Sequence, residues 1–172
     1  MKYMIVYSSI TGNTKMIADA IKDVLDEDSC VYCGKPDGIT TQEADVIFVG
    51  FWVFRGSCIE EIEKYLKTLE NKKVFLFGTA GFGGSESYFE TILANVKQYL
   101  SESNNVIGSF LCQGKMPSSV LERYQVMLEE QPGNKNAQNM ISNYHSALLH
   151  PDMHDVEAVK VVVKGILNET LK

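Results

Sequence analysis

Between residues 8 and 15 the chain runs Ser-Ser-Ile-Thr-Gly-Asn-Thr-Lys, so that Ser9, Thr11 and Thr14 offer hydroxyls and Asn13 a carboxamide within one turn. The apolar run Tyr3-Met4-Ile5-Val6-Tyr7 precedes it and the amphipathic segment Met16 to Leu25 follows, which reads as strand, turn and helix start. Such a turn aims several backbone N–H groups at one anion beside the positive end of a helix dipole. Phosphate is the ligand this chemistry suits. Neither the Gly-x-Gly-x-x-Gly of a dinucleotide turn nor the Gly-x-x-x-x-Gly-Lys-Ser/Thr of a P-loop occurs here, which leaves a ligand with one terminal phosphate. The alternative for the same residues is a helix N-terminus capped by Asn13 or Thr14, with no ligand.

Two further turns carry aromatic and glycine residues. Gly50-Phe51-Trp52-Val53-Phe54-Arg55-Gly56-Ser57 follows one apolar run, and Gly78-Thr79-Ala80-Gly81-Phe82-Gly83-Gly84-Ser85 follows another. Trp52, Phe54 and Phe82 offer flat apolar surface, and the glycines let backbone approach a ring closely. Core packing is the competing role for each aromatic. Other chemistries have weaker signals. Cys30-Val31-Tyr32-Cys33 has C-x-x-C spacing, yet it falls in an expected strand, where positions i and i+3 point to opposite faces. With Cys58 and Cys112 these are scattered thiols, suited to a reducing compartment. His145, His150 and His154 read as surface histidines.

The elements that position these turns alternate. Strands are expected over Lys2 to Tyr7, Ser29 to Cys33, Asp45 to Phe51, Lys73 to Phe77 and Val106 to Cys112. Helices bearing Ile59, Ile62, Leu66 and Leu69, then Phe89, Ile92, Leu93 and Val96, lie between the later ones. Gly34 to Glu43 reads as a loop. This βα alternation predicts an α/β fold, an open parallel sheet covered by helices on both faces. Beyond the fifth strand, residues 113 to 151 form a helical insertion: Ser118 to Glu130 and Asn136 to Leu149 carry apolar stripes, and Pro132-Gly133 separates them. Its stripes need burial, so it packs at the domain edge and serves recognition; Gln113-Gly114-Lys115 reads as its connecting loop, with contact to the edge of a bound ring or to a partner as the alternative. Val156, Val159, Val163, Ile166 and Leu167 give the last helix a broad apolar face.

Length and charge bound the partners. A chain of 172 residues fits a single domain, 1–172. Sixteen basic against 22 acidic residues give a net charge of −6 without a basic run, which argues against nucleic acid and anionic membranes and toward basic protein patches. No apolar run approaches a membrane span and no signal segment opens the chain, so a cytoplasmic monomer or weak dimer is expected.

Ser9-Ile10-Thr11-Gly12-Asn13-Thr14 resembles the phosphate loop of flavodoxins, a Ser/Thr-x-Thr-Gly-Asn-Thr signature after the first strand, at every fixed position. The resemblance spans residues 1 to 112 and the final helix. It implies the doubly wound five-stranded sheet in the order 2-1-3-4-5, and FMN as cofactor, lying where the three turns converge. The implied FMN-binding residues are Ser9, Ile10, Thr11, Gly12, Asn13 and Thr14 in the first loop, with Trp52, Val53, Phe54 and Gly56 in the second. Thr79, Ala80, Gly81, Phe82 and Gly83 belong to the third. Phe82 departs from the stacking Trp or Tyr common there, and Gly84 from an acid many relatives carry. Both bear on redox tuning. Arg55, the only charge in residues 51–57 and 79–85, either eases flavin reduction or meets an acidic partner. The function implied is an electron-transfer protein between a reductase donor and a terminal reductase acceptor. An NAD(P)H-dependent FMN or quinone reductase on the same fold is the alternative, and a binding module without cofactor a third reading. The Gly-Phe-Trp-Val loop and the insertion look most like the small flavodoxin-like proteins that accompany a larger reductase in anaerobes, such as the accessory flavodoxins of bacterial bilirubin reductase systems.

Overall fold

The computed structural model describes residues 1–38, 41, 43–83 and 85–170. Strands β1 (Tyr3–Tyr7), β2 (Cys30–Gly34), β3 (Val46–Trp52), β4 (Lys73–Ala80) and β5 (Asn105–Gln113) form one sheet in the order β2-β1-β3-β4-β5. Every pairing is parallel. The order agrees with the expectation. Helices α1 (Asn13–Lys22), α2 (Glu60–Lys67) and α3 (Glu86–Lys97) connect the strands, and α4 (Ser118–Glu130), α5 (Lys135–Ala147) and α6 (Met153–Thr170) follow β5.

Strand residues divide between two apolar clusters, one on each face. Tyr3, Ile5, Phe75 and Phe77 pack beneath α1 and α6 with Ile17, Ile21, Val159 and Val163. Met4, Val6, Val74 and Leu76 pack beneath α2 and α3 with Ile62, Leu66, Ile92 and Val96. Burial on both faces explains why these strands read as unbroken apolar runs instead of alternating ones. Each such side chain contributes about 1.5–3 kcal/mol when withdrawn from water. Gly108 has no side chain because Ile166 of α6 and Phe75 occupy the space where one would stand.

Three local departures from the sequence reading have physical causes. Helix α1 starts at Asn13 and not Met16, because Gly12, at φ 84, turns the chain directly into the helix. In β2 the pairing runs Tyr3 with Cys30, then Met4 with Tyr32 and Ile5 with Cys33, so a bulge absorbs Val31. Cys30 and Cys33 therefore face the same side, toward the α1 cluster, and not opposite sides. Leu148, inside the stretch Asn136 to Leu149 read as an apolar-striped helix, lies just past the end of α5 and is 46% exposed.

The insertion forms a helical pair, α4 against α5, burying Tyr124, Ala137, Tyr144 and Ala147. Asn134 caps α5 by accepting the Asn136 and Ala137 N–H groups at 3.0 and 3.2 Å. The loop expected over Gly34 to Glu43 lies partly outside the described residues, at 39, 40 and 42. Among the described residues no helix is long and apolar enough to cross a membrane.

Candidate functional site

The first loop leaves β1 at Tyr7 and enters α1 through Gly12, an N-cap residue with no side chain to offer the helix. The two candidate caps are committed elsewhere. Asn13 Nδ2 donates to the Lys115 carbonyl at 2.8 Å, and the hydroxyls of Thr14 and Thr79 share a hydrogen bond at 3.0 Å. Neither Asn13 nor Thr14 therefore caps the helix. The start of α1 keeps unpaired N–H groups and its positive dipole end, a ready anion site. Ser9 Oγ accepts the Lys15 N–H at 3.3 Å and so curls the loop around that helix start.

A cleft of about 600 Å³ opens at the carboxyl ends of β1, β3 and β4, where the three turns meet. From the first loop Ile10, Thr11 and Asn13 line it. Ser9, Gly12 and Thr14 shape the turn without lining the cleft. Asn13 Oδ1 is buried with no hydrogen-bond partner.

The second loop contributes Trp52, Val53, Phe54, Arg55 and Gly56. Phe54 and Ser57 exchange backbone hydrogen bonds of 2.8 and 3.1 Å across a tight turn whose central residues, Arg55 and Gly56, have φ 50 and 78. Two successive positive φ values mark a type I′ turn. Asn95 of α3 steadies it by donating Nδ2 to the Gly56 carbonyl at 2.9 Å. The Trp52 and Phe54 rings meet edge to face at 5.7 Å, and Trp52 Nε1 is buried without an acceptor.

The third loop brings Thr79, Ala80, Gly81 and Phe82 to the cleft, and the Val53 N–H donates to the Thr79 carbonyl at 2.9 Å, joining second loop to third. Gly83 does not line the cleft. It lies against Gln113, where a Cβ would come within 2.8 Å of that side chain. The departure noted at Gly84 falls outside the described residues. Tyr88 of α3 also lines the site; burial pushes its phenol pKa up, so it stays a neutral hydroxyl.

The insertion closes the cleft from the other side. Met116, Pro117, Val120, Arg123 and Tyr124 form that wall, joined by Gly114 and Lys115. Behind it, Gln113 Nε2 and Asn143 Nδ2 both donate to the Gly81 carbonyl, at 3.1 and 3.0 Å, and Gln113 Nε2 also donates to Asn143 Oδ1 at 3.0 Å. The sequence reading brought Gln113-Gly114-Lys115 near the site but not the α4 wall, because an apolar helical stripe signals burial without naming its partner. A lone amide such as Asn143 gives no signal at all. Elsewhere, His150, Asp152 and Asp155 converge with ligand atoms within 4.8 Å. Their bonds organise the start of α6: His150 Nδ1 pairs with Asp155 Oδ2 at 2.7 Å, and Asp152 Oδ1 accepts the His154 and Asp155 N–H groups. The Asp155 N–H, foremost, holds the Asp152 carboxyl below its ordinary pKa.

A family model described as a flavodoxin domain matches residues 4–164. The chain belongs to the flavodoxin family. It is 42% identical over 174 residues to the flavodoxin-like domain-containing protein BilS of Clostridium symbiosum (strain WAL-14163), covering 92% of each chain. To BilS of Clostridioides difficile (strain CD3) it is 32% identical over 170 residues, covering 97% of each. The crystal structure of oxidised flavodoxin 2 from Bacillus cereus matches with a TM-score of 0.57 at 19% identity, over 98% of this chain and 99% of that one, which is a likeness of fold.

FMN is the cofactor of a flavodoxin, and the chemistry of this site fits it. An uncapped helix start suits a terminal phosphate. The orphaned Trp52 Nε1 and Asn13 Oδ1, a buried donor and a buried acceptor, each call for a polar ligand atom. Phe54 and Phe82, partly exposed at the mouth, await a flat apolar partner.

Proposed function

We propose that this flavodoxin is an electron carrier that accepts electrons from a reductase and delivers them to a partner oxidoreductase. FMN supplies the redox chemistry when bound. The chain's residues bind and orient it: the backbone from Ser9 to Thr14 and the Thr11 hydroxyl hold the phosphate, Trp52 Nε1 and Asn13 Oδ1 engage phosphate or ribityl oxygens, and Phe54 and Phe82 pack on the ring. Thr79, Ala80 and Gly81 supply the backbone that approaches it.

One observation carries the reading. Among the described residues lining the cleft there is no Asp, Glu, His or Cys, and its backbone, aromatic and cationic groups suit holding a phosphorylated ring compound. The likeness to BilS proteins supports a larger reductase as acceptor, as an accessory flavodoxin of a bilirubin reductase system would have.

The wall made by α4 favours one second reading, an NAD(P)H-dependent FMN or quinone reductase, because it gives the cleft a second side against which a hydride donor could lie. Anaerobic FMN-loaded protein mixed with NADH or NADPH decides between them. The carrier keeps its flavin absorbance with nucleotide alone and bleaches only when a flavodoxin reductase is added. Bleaching by nucleotide alone refutes the carrier reading in favour of the enzyme.

A further inference from the structure

The whole chain is acidic, at −6, but its cleft is not. Every charged residue lining it is a cation: Arg55 from the second loop, Lys115 after β5 and Arg123 from α4. None of the three makes an ion pair among the described residues, whereas nearby Lys15 is neutralised by Asp19 at 2.6 Å. Arg55 rests over the Phe54 ring at 5.1 Å and Arg123 over Tyr124 at 5.8 Å, contacts that hold the guanidinium groups in place while leaving them exposed. Around the same mouth stand exposed apolar residues: Ile10 at 69%, Phe54 at 47% and Phe82 at 38%. An apolar centre with an arginine-bearing rim is the anatomy of a protein interface.

Resting on the carrier reading, we infer that the cleft mouth docks a redox protein whose own electron port is ringed by carboxylates. Net charge alone pointed to a basic partner; the local charge at the site of transfer has the opposite sign, and local charge governs the encounter. The FMN phosphate does not consume this charge entirely. It lies with the first loop, to which Asn13 ties Lys115 through its carbonyl, and Arg55 and Arg123 remain for the partner. Held on their rings, the two arginines lose little freedom on docking, which suits a weak and fast contact.

The test uses one redox centre with two surfaces: native cytochrome c, whose haem edge is ringed by lysines, and the same protein succinylated, which turns those lysines into carboxylates. FMN-loaded flavodoxin is reduced anaerobically and mixed with each at low and high salt, with ferricyanide as a small anionic control. One electron passes from reduced flavin to each haem iron or ferricyanide. The succinylated acceptor should react about tenfold faster than the native one at low ionic strength, with the difference vanishing at high salt. R55E/R123E, checked for FMN content, should reverse the order. Faster reduction of the native form by the wild type overturns the inference and leaves the carrier reading standing. A charge effect confined to ferricyanide also overturns it, since the cations then serve a small anion. Transfer to none of the three refutes the carrier reading, and the inference with it. The wild-type salt dependence needs no variant, so a poorly folding mutant does not shield the proposal.

Discussion

Trp52 and Thr11 are the residues from which the cofactor assignment can be tested most locally. Trp52 Nε1 is a buried donor lacking an acceptor, and donation to a charged phosphate is worth about 1.5–3 kcal/mol. Trp52→Phe keeps an aromatic ring, though a smaller one, and deletes the donor, so FMN titration should show a loss of at least tenfold in affinity if phosphate is its acceptor. Thr11→Ala should weaken FMN in the same way, while Thr14→Ala should lower stability chiefly, because the Thr14 hydroxyl is spent on Thr79. Equal affinity in Trp52→Phe and wild type would mean that Trp52 Nε1 does not bind FMN. The thiols set a different expectation. Burial pushes Cys58 up to about 11 and raises Cys112 strongly as well. An unfolded thiol ionises near pH 8.5, so above about that pH the unfolded chain releases protons that the folded one retains. The stability from these groups is thus complete below about pH 8.5 and is lost as pH rises toward 11. Thermal melts from about pH 8 to 10.5 should fall with pH, and less steeply in Cys58→Ala or Cys112→Ala; parallel slopes would contradict the burial argument.

Among the elements, the insertion is where sequence and structure part most. Strands buried on both faces, amphipathic α1 and the glycine-bearing turns are legible because period and turn chemistry are local properties. The wall made by Met116, Val120 and Arg123 is not, since it depends on which sheet edge α4 folds back over, and Asn13 and Lys115 are 102 residues apart. The faces of Cys30 and Cys33 were misread for a related reason: a bulge resets the period of two, and composition does not announce it. The edge-recognition role expected of the insertion gains a positional one. Gln113 and Asn143 saturate the Gly81 carbonyl, so α5 braces the third loop from behind. Asn143→Ala should cost about 1–2 kcal/mol of stability, a few degrees in Tm, and should weaken FMN several-fold as the loop loosens. A lower Tm with unchanged FMN affinity would make Asn143 a packing residue only.

For the molecule as a whole, a chain of net charge −6 carries a cleft whose charged lining is cationic, and a five-stranded sheet fixes the three loops that meet there. Everything proposed about electron delivery depends on that cleft holding FMN by its phosphate. The most direct measurement is a fluorescence-quenching titration of the apo protein with FMN and, in parallel, with riboflavin, which has the same ring and ribityl chain but no phosphate. One FMN should bind per chain with an affinity at least a hundredfold above that for riboflavin, about 2.7 kcal/mol or more, the sum of the charge-assisted bonds at the start of α1. Equal affinities for the two ligands, or no binding of either, would contradict it.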